Sequence, residues 1–187
     1  METYVKSKFL ALALLLPSIA IADGINSAEE SLITEFGPKF SDYDQYQPFA
    51  MKEHKTHFTV WKSKTRGFSD HYAINIGEIA KKTKSLDAFK ESQDAPAQRT
   101  CKTHSSTPTE KTLVNGYEAI SWTSTCELDK LTITSIEMAI MGNQNFYHLR
   151  KLWKFPVPDE KIAEWQALLR QTSLCDSANE AHICPVE

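Results

Sequence analysis

The stretch Asn115–Phe155, NGYEAISWTSTCELDKLTITSIEMAIMGNQNFYHLRKLWKF, decides the fold class. It holds runs of β-branched and aromatic residues separated by short polar breaks, the composition that strands favour. Tyr117–Glu127 and Leu131–Met141 read as long strands. Successive strand side chains point to opposite faces. Ala119 therefore faces away from Ile120 and Trp122, and Ile133, Ser135 and Glu137 lie opposite Thr134, Ile136 and Met138. Gly142-Asn143-Gln144-Asn145 is a turn that folds the second strand back on Phe146–Phe155 as a hairpin. In the return strand, Tyr147, Leu149, Lys151 and Trp153 share one face, and Phe146, His148, Arg150, Leu152 and Lys154 the other.

Working outward, Pro156 and Pro158 end the sheet, and Asp159 is expected to cap a helix with Ile162, Trp165, Leu168 and Leu169 on one face. Cys175 and a polar tail to Cys184 follow. Upstream, Arg99–Ser105 and Thr112–Val114 are expected to be strands. Ser85 predicts the cap of a short helix with Leu86 and Phe89 inward, ending before Pro96. His57–Trp61 and His71–Ile76 read as strands around a basic turn, Lys62–Gly67, with Tyr72, Ile74 and Ile76 on one face. Residues 40–50 (FSDYDQYQPFA) contain Pro48 and predict an extended or irregular segment. Ser27-Ala28-Glu29-Glu30 predicts a capping box and a helix bearing Leu32, Ile33 and Phe36, stopped by Gly37-Pro38. Together these make an α+β domain, an antiparallel sheet flanked by helices.

The N-terminus carries an address. Lys6 and Lys8 precede the apolar run Phe9–Leu16, Pro17 breaks it, and Ala20-Ile21-Ala22 sets small residues before Asp23. That order predicts a cleavable signal over residues 1–22, leaving 23–187 as a single domain with a disulfide-closed C-terminal tail. The expected location is periplasmic or secreted. No Cys adjoins the cut to take a lipid anchor, and no later run is apolar enough to span a bilayer. An even count of 4 cysteines in an exported chain predicts two disulfides, and three connectivities are possible. The favoured one joins Cys101 with Cys126, on neighbouring strands, and Cys175 with Cys184. No C-x-x-C spacing suggests zinc. A formal net charge of −3 argues against a nucleic-acid binder that relies on a basic surface.

The layout resembles the PsbP-like fold family, the α-β-α sandwich shared by photosystem II extrinsic subunits, a nuclear-import accessory factor and many bacterial envelope proteins. Two stretches carry the resemblance: GFSDHYAINIG (Gly67–Gly77), similar to the family's early strand, and Asn115–Leu174, similar to its C-terminal half. His71 stands where many members have Asn. The resemblance implies non-enzymatic accessory or binding roles and carries over no catalytic residue.

The residues themselves offer few sites. His54-x-x-His57 would put its imidazoles on opposite faces of a strand, and Asp70-His71 diverge likewise, with Asp70 expected to cap a turn. No G-x-S-x-G, H-E-x-x-H, P-loop or G-x-G-x-x-G occurs, so no catalytic residue, metal or cofactor is assigned. Tyr43, Tyr46, Phe49, Trp61 and Tyr72 are the candidate binding residues, because rings on an irregular segment beside a sheet can line a groove or an interface. Lys62, Lys64 and Arg66 form a basic turn that could meet an acidic partner. The expectation is an exported binding or accessory protein of the envelope whose partner is a protein or small ligand. An inhibitor or immunity protein against a toxin or hydrolase is one alternative, and a small periplasmic hydrolase with an unrecognised site is the other.

Non-reducing peptide mapping of the exported chain is expected to yield an N-terminus at Asp23 and the peptide pairs Cys101–Cys126 and Cys175–Cys184. A Cys126–Cys175 peptide would contradict the expected strand pairing.

Overall fold

Strands β7 (Tyr117–Leu128) and β8 (Leu131–Met141) pair antiparallel from Leu128 opposite Leu131 to Ala119 opposite Ile140. β9 (Asn145–Trp153) returns along β8 with Met141 opposite Phe146 and Thr134 opposite Trp153. The chain is described here from a computed structural model covering residues 30–34, 41–46, 56–78 and 85–184. The expected signal, the Ser27 cap, Phe36, Gly37-Pro38, Phe49 and His54 lie outside those residues.

On its other edge β9 pairs with β4 (Gly67–Glu78), which pairs with β3 (Thr56–Ser63), which pairs with β2 (Tyr43–Tyr46). β7 is flanked by β6 (Glu110–Val114) over its first half and β5 (Thr103–Ser106) over its second. Asn115 and Gly116, at φ 48° and 88°, make the two-residue turn between β6 and β7. Within the segment expected to be extended or irregular, residues 43–46 form an extended edge strand.

A separate ladder pairs β1 (Glu30–Ile33) with β10 (Ser173–Asp176). This corrects the expected helix around Leu32 and Ile33. Pairing with β10 puts Leu32 against the main core beside Leu174 and buries Glu30, which a surface helix would not do. The Glu30 carboxylate accepts the backbone N–H groups of Asn143, Gln144 and Asn145, and the Tyr147 hydroxyl donates to it at 3.1 Å. One buried charge therefore satisfies the turn between β8 and β9.

Alternation along the strands builds two cores. On one face Tyr72, Ile74, Ile136, Met138, Leu149 and Trp153 meet Trp165, Leu168 and Leu169 of α2 (Asp159–Leu169). On the other, Ile120, Trp122 and Ala139 meet Leu86 and Phe89 of α1 (Leu86–Thr100). The result is helix, sheet and helix in layers.

α1 begins as expected, with the Ser85 hydroxyl accepting from the Ala88 amide at 3.1 Å. It runs through Pro96 to Thr100, so Arg99 belongs to the helix and not to a strand. Proline removes one interior hydrogen bond, but the helix end is then tied to β7 by the Cys101–Cys126 disulfide, with α-carbons 5.4 Å apart. Cys175–Cys184 bonds β10 to the tail across 4.7 Å between α-carbons. Each bridge contributes on the order of 2–4 kcal/mol. Pro158, not Asp159, occupies the cap position of α2, and Asp159 supplies negative charge to its first turn.

A Cβ at Gly142 would stand 2.7 and 2.8 Å from the two Glu30 carboxylate oxygens. Gly142→Ala is therefore expected to cost about 2 kcal/mol by displacing that carboxylate. Gly77→Ala, whose Cβ would meet Thr56 Oγ1 at 3.6 Å, should stay within about 0.5 kcal/mol of the parent. Urea unfolding of both variants checks the contrast.

Candidate functional site

β2 and β3 form the edge of the sheet that faces the α2 layer on one side and opens away from it on the other. Alternation along β2 sends Tyr43 to the α2 side and Tyr46 to the outer side. Between β3 and β4 the register shifts: Lys62 pairs with His71, but Ser63 pairs with Gly67. The resulting bulge at Phe68, Ser69 and Asp70 aims Asp70 inward and Phe68 outward.

The inward side centres on Lys151, whose side chain has no exposed surface. Lys151 Nζ donates to the Tyr43 hydroxyl at 2.8 Å and to Asp70 Oδ1, and the Tyr43 hydroxyl donates to the same carboxylate oxygen at 2.8 Å. Three rings surround the ammonium, with centroids 4.4 Å away for Trp165, 4.6 Å for Tyr43 and 5.0 Å for Trp153. Trp61 stacks at a tilt on Tyr72, with centroids 5.5 Å apart, and Tyr72 lies 5.8 Å from Trp165. Burial lowers the Lys151 amine to about 8, although Asp70 opposes that fall. Burial and the neighbouring Asp70 push the Tyr43 hydroxyl far above its usual range.

Above this floor lies a cleft of about 500 Å³ lined by Tyr43, Asp70 and Trp165, with Lys64, Lys161 and Glu164 at its rim. Lys161 and Glu164 pair at 2.9 Å, and Lys64 donates to the Ser41 carbonyl at 2.6 Å. Asp70 does not cap a turn; its carboxylate is the counter-charge of Lys151.

The outward side is an aromatic surface that carries Lys62, with exposed Asp44 directly across from it on β2. Tyr46, Phe58 and Phe68 are 42%, 39% and 45% exposed. Tyr46 and Phe68 meet edge to face at 5.4 Å, and Lys62 Nζ sits 5.7 Å from both centroids. Phe68 also contacts His71 at 6.2 Å. His71 shares its Nδ1 with the Phe68 carbonyl at 2.9 Å. Burial depresses the His71 imidazole; the bond to Phe68 opposes this, and Arg150, Lys151 and Lys154 reinforce it. α1 covers a different part of this face, over β5, β7 and β8.

Of the five aromatic candidates, the structure brings Tyr43, Trp61 and Tyr72 together around Trp165. Tyr72 is fully buried and belongs to the core. Tyr46 stands on the opposite face with Phe68, a ring outside the candidate set that the bulge in β4 brings to it. Lys151 also lies outside that set, although a lysine alternating with Tyr147, Leu149 and Trp153 on an apolar strand face is a legible signal. His57 is exposed on β3. His148 is engaged with Glu137 at 2.6 Å, while Arg150 pairs with the other carboxylate oxygen at 2.9 Å. Burial alone would raise the Glu137 carboxyl, but those partners hold it below its usual range. Among the described residues no group of three or more His, Cys, Asp or Glu is placed to hold a metal. Nor, among them, is any helix long and apolar enough to cross a membrane.

No protein-family model matches the chain, and no curated protein matches it in sequence. Among solved structures it is similar to cyanobacterial PsbP (CyanoP) from Synechocystis sp. PCC 6803, at 8% identity over 82% of this chain and 97% of that one, with a TM-score of 0.54. A protein of unknown function from Pseudomonas aeruginosa aligns at 12% identity over 67% and 93% of the two chains, with a TM-score of 0.44. LpqN, involved in cell envelope biogenesis of Mycobacterium tuberculosis, aligns at 12% over 80% and 86%, with a TM-score of 0.39. The likeness to CyanoP shows that the fold is PsbP-like, as the strand pattern implied.

Removing one partner of a buried ion pair costs about 3–5 kcal/mol. Lys151→Met is expected to fall in that range by urea unfolding, and Lys151→Met combined with Asp70→Asn should recover more than half of the loss. By NMR, the Lys151 amine should lose its proton near pH 8, below its ordinary 10.5. Above that pH the unfolded chain holds the extra proton, so this group's contribution to stability rises between pH 8 and 10.5.

Proposed function

We propose that the chain is an exported, non-enzymatic accessory protein of the cell envelope that works by docking an acidic protein partner on its outer β2–β4 face. The observation that carries this reading is the exposed set Tyr46, Phe58 and Phe68 with Lys62 lying over two of the rings. Interfaces are enriched in aromatic residues and arginine, and a few such residues carry most of the binding energy. The basic hairpin between β3 and β4 carries Lys64 and Arg66, both exposed, at the end of the same strands, Lys64 beside the α2-side cleft and Arg66 over the Phe155 ring, so Lys62 is the cation of the outer face. On a chain of negative formal charge, Lys62 held over two exposed rings supports a partner that presents an acidic group beside an apolar one.

Two disulfides support an oxidising destination, and the residues 1–22 read as a signal support export by a Sec-type route. The PsbP-like fold is compatible with an accessory role, though a fold alone assigns no function. For a hydrolase, the groups that resemble catalytic pairs are committed elsewhere: Asp70 to buried Lys151, and His148 to buried Glu137.

The test is a pull-down from the native envelope fraction with the chain from Asp23, disulfides intact, followed by affinity measurement on the captured partner. Tyr46→Ala and Phe68→Ala should each weaken binding about tenfold or more, and Lys62→Glu should weaken it with a reduced salt dependence. Ile183→Ala, at an exposed position in the tail, serves as control. A partner held equally well by the Tyr46 and Phe68 variants would contradict the reading.

A further inference from the structure

Strand register sets one row of side chains across the outer face. Asp44 on β2 stands opposite Lys62 on β3, Lys62 opposite His71 on β4, and His71 opposite Leu152 on β9. Directly opposed residues of antiparallel strands share a face, with β-carbons about 4.5–5.5 Å apart. Asp44 is exposed, Lys62 and His71 are half-buried, and Leu152 is buried. The row thus holds a carboxylate, an ammonium and an imidazole, the side chain that changes charge between about pH 5 and 8.

His71 is also tied to the exposed rings. Its Nδ1 lies 2.9 Å from the Phe68 carbonyl, and its ring meets the Phe68 ring at 6.2 Å and 70°. A carbonyl oxygen only accepts, so the neutral imidazole carries its proton on Nδ1, and Nε2 takes the second one. Protonation therefore adds charge without breaking the bond that holds the imidazole against Phe68. Charged groups reach this position from every neighbouring strand: Lys62 from β3, Asp44 from β2, Arg150 from β9 and Lys154 just beyond it, and Lys151 with Asp70 on the inner face. Arg150 is paired with Glu137 at 2.9 Å, and Lys151 with Asp70. With His71 neutral, Asp44 balances Lys62 along the row. With His71 protonated, the row carries one net positive charge.

We propose that proton uptake by His71 controls docking on this face, so that an acidic partner is held more tightly as pH falls, a regulation that rests on the docking role assigned to the face. Burial lowers His71 from the usual 6.5; the bond to Phe68 opposes this, and Arg150, Lys151 and Lys154 reinforce it, so the response falls on the acidic side. An anionic group seated beside Lys62 offsets those cations. By linkage, binding then favours the protonated ring to the same extent that the protonated ring favours binding.

The probe is para-butylbenzenesulfonate, an acidic group beside an apolar one that stays ionised throughout. It is titrated into the disulfide-intact chain by NMR at steps from about pH 8 to about pH 5. Shifts of the Tyr46 and Phe68 rings report occupancy, and the long-range proton–nitrogen spectrum of His71 reports its tautomer and protonation. Affinity should rise about threefold as His71 gains its proton, which is within what one exposed charge pair contributes. Saturating probe should move the His71 midpoint upward. Asp44→Asn should give a similar gain already at about pH 8. His71→Gln should remove the pH dependence, whereas His57→Gln, on the opposite face of β3, should keep it. Occupancy of the rings with one affinity at every pH would overturn the proposal and leave the docking face standing. So would a pH dependence that survives His71→Gln, or a neutral His71 with its proton on Nε2. No shift of Tyr46 or Phe68 at any pH would overturn the docking role and its regulation together.

Discussion

The burial of the Lys151 ammonium inside the larger core is the constraint around which one edge of this molecule is organised. Taking a cation out of water costs several kcal/mol even after relaxation, and the cost is offset only where good partners converge. Here they come from separate elements: Asp70 from β4, Tyr43 from β2, Trp165 from α2, and Lys151 itself from β9. A short edge strand such as β2 has little area of its own to bury. Its hydroxyl in this network gives it a fixed position against the sheet, and α2 is held over the same point by Trp165.

Fixing Tyr43 inward also fixes what the strand presents outward. Strand alternation turns Tyr46 to the opposite face, and the bulge in β4 turns Phe68 to meet it while Asp70 goes to Lys151. An internal electrostatic demand and an external aromatic surface are thus two consequences of one backbone arrangement. The far edge is built differently. There β5 and β6 share β7, and Thr107 and Pro108 between them line a cavity beside α2. The Cys101–Cys126 bridge and the Glu30 clamp act at other points of the frame, so each edge has its own fastening.

Much of the sheet was legible because its signals are local. β-branched runs, a Gly-Asn turn and period-two alternation in Tyr117–Trp153 specify three strands, and the alternation already placed Lys151 among apolar neighbours. Both cysteine pairs follow the order of the elements that carry them. What failed was local signal opposed by distant partners. Glu30 read as half of a capping box, yet its carboxylate serves a turn more than a hundred residues away. Pro96 read as a helix end, but it costs a single interior bond that the remaining turns absorb. Asn115-Gly116 is a strong hairpin signal that shows β6 as a true partner of β7. For the site, rings were found by composition, but Phe68 and Trp165 reach it only through the bulge and the packing of α2, which no spacing in the sequence encodes.

The most direct measurement is amide hydrogen exchange in Tyr43→Phe, which removes one hydroxyl from the Lys151 network and changes no apolar contact. If that network is what holds the edge strand, the amides of Tyr43–Tyr46 should exchange several-fold faster than in the parent protein, while those in the middle of β7 and β8 keep their rates. Unchanged exchange in β2 would show that the strand is held by its ladder with β3 alone, and the account of a core cation organising this edge would fail.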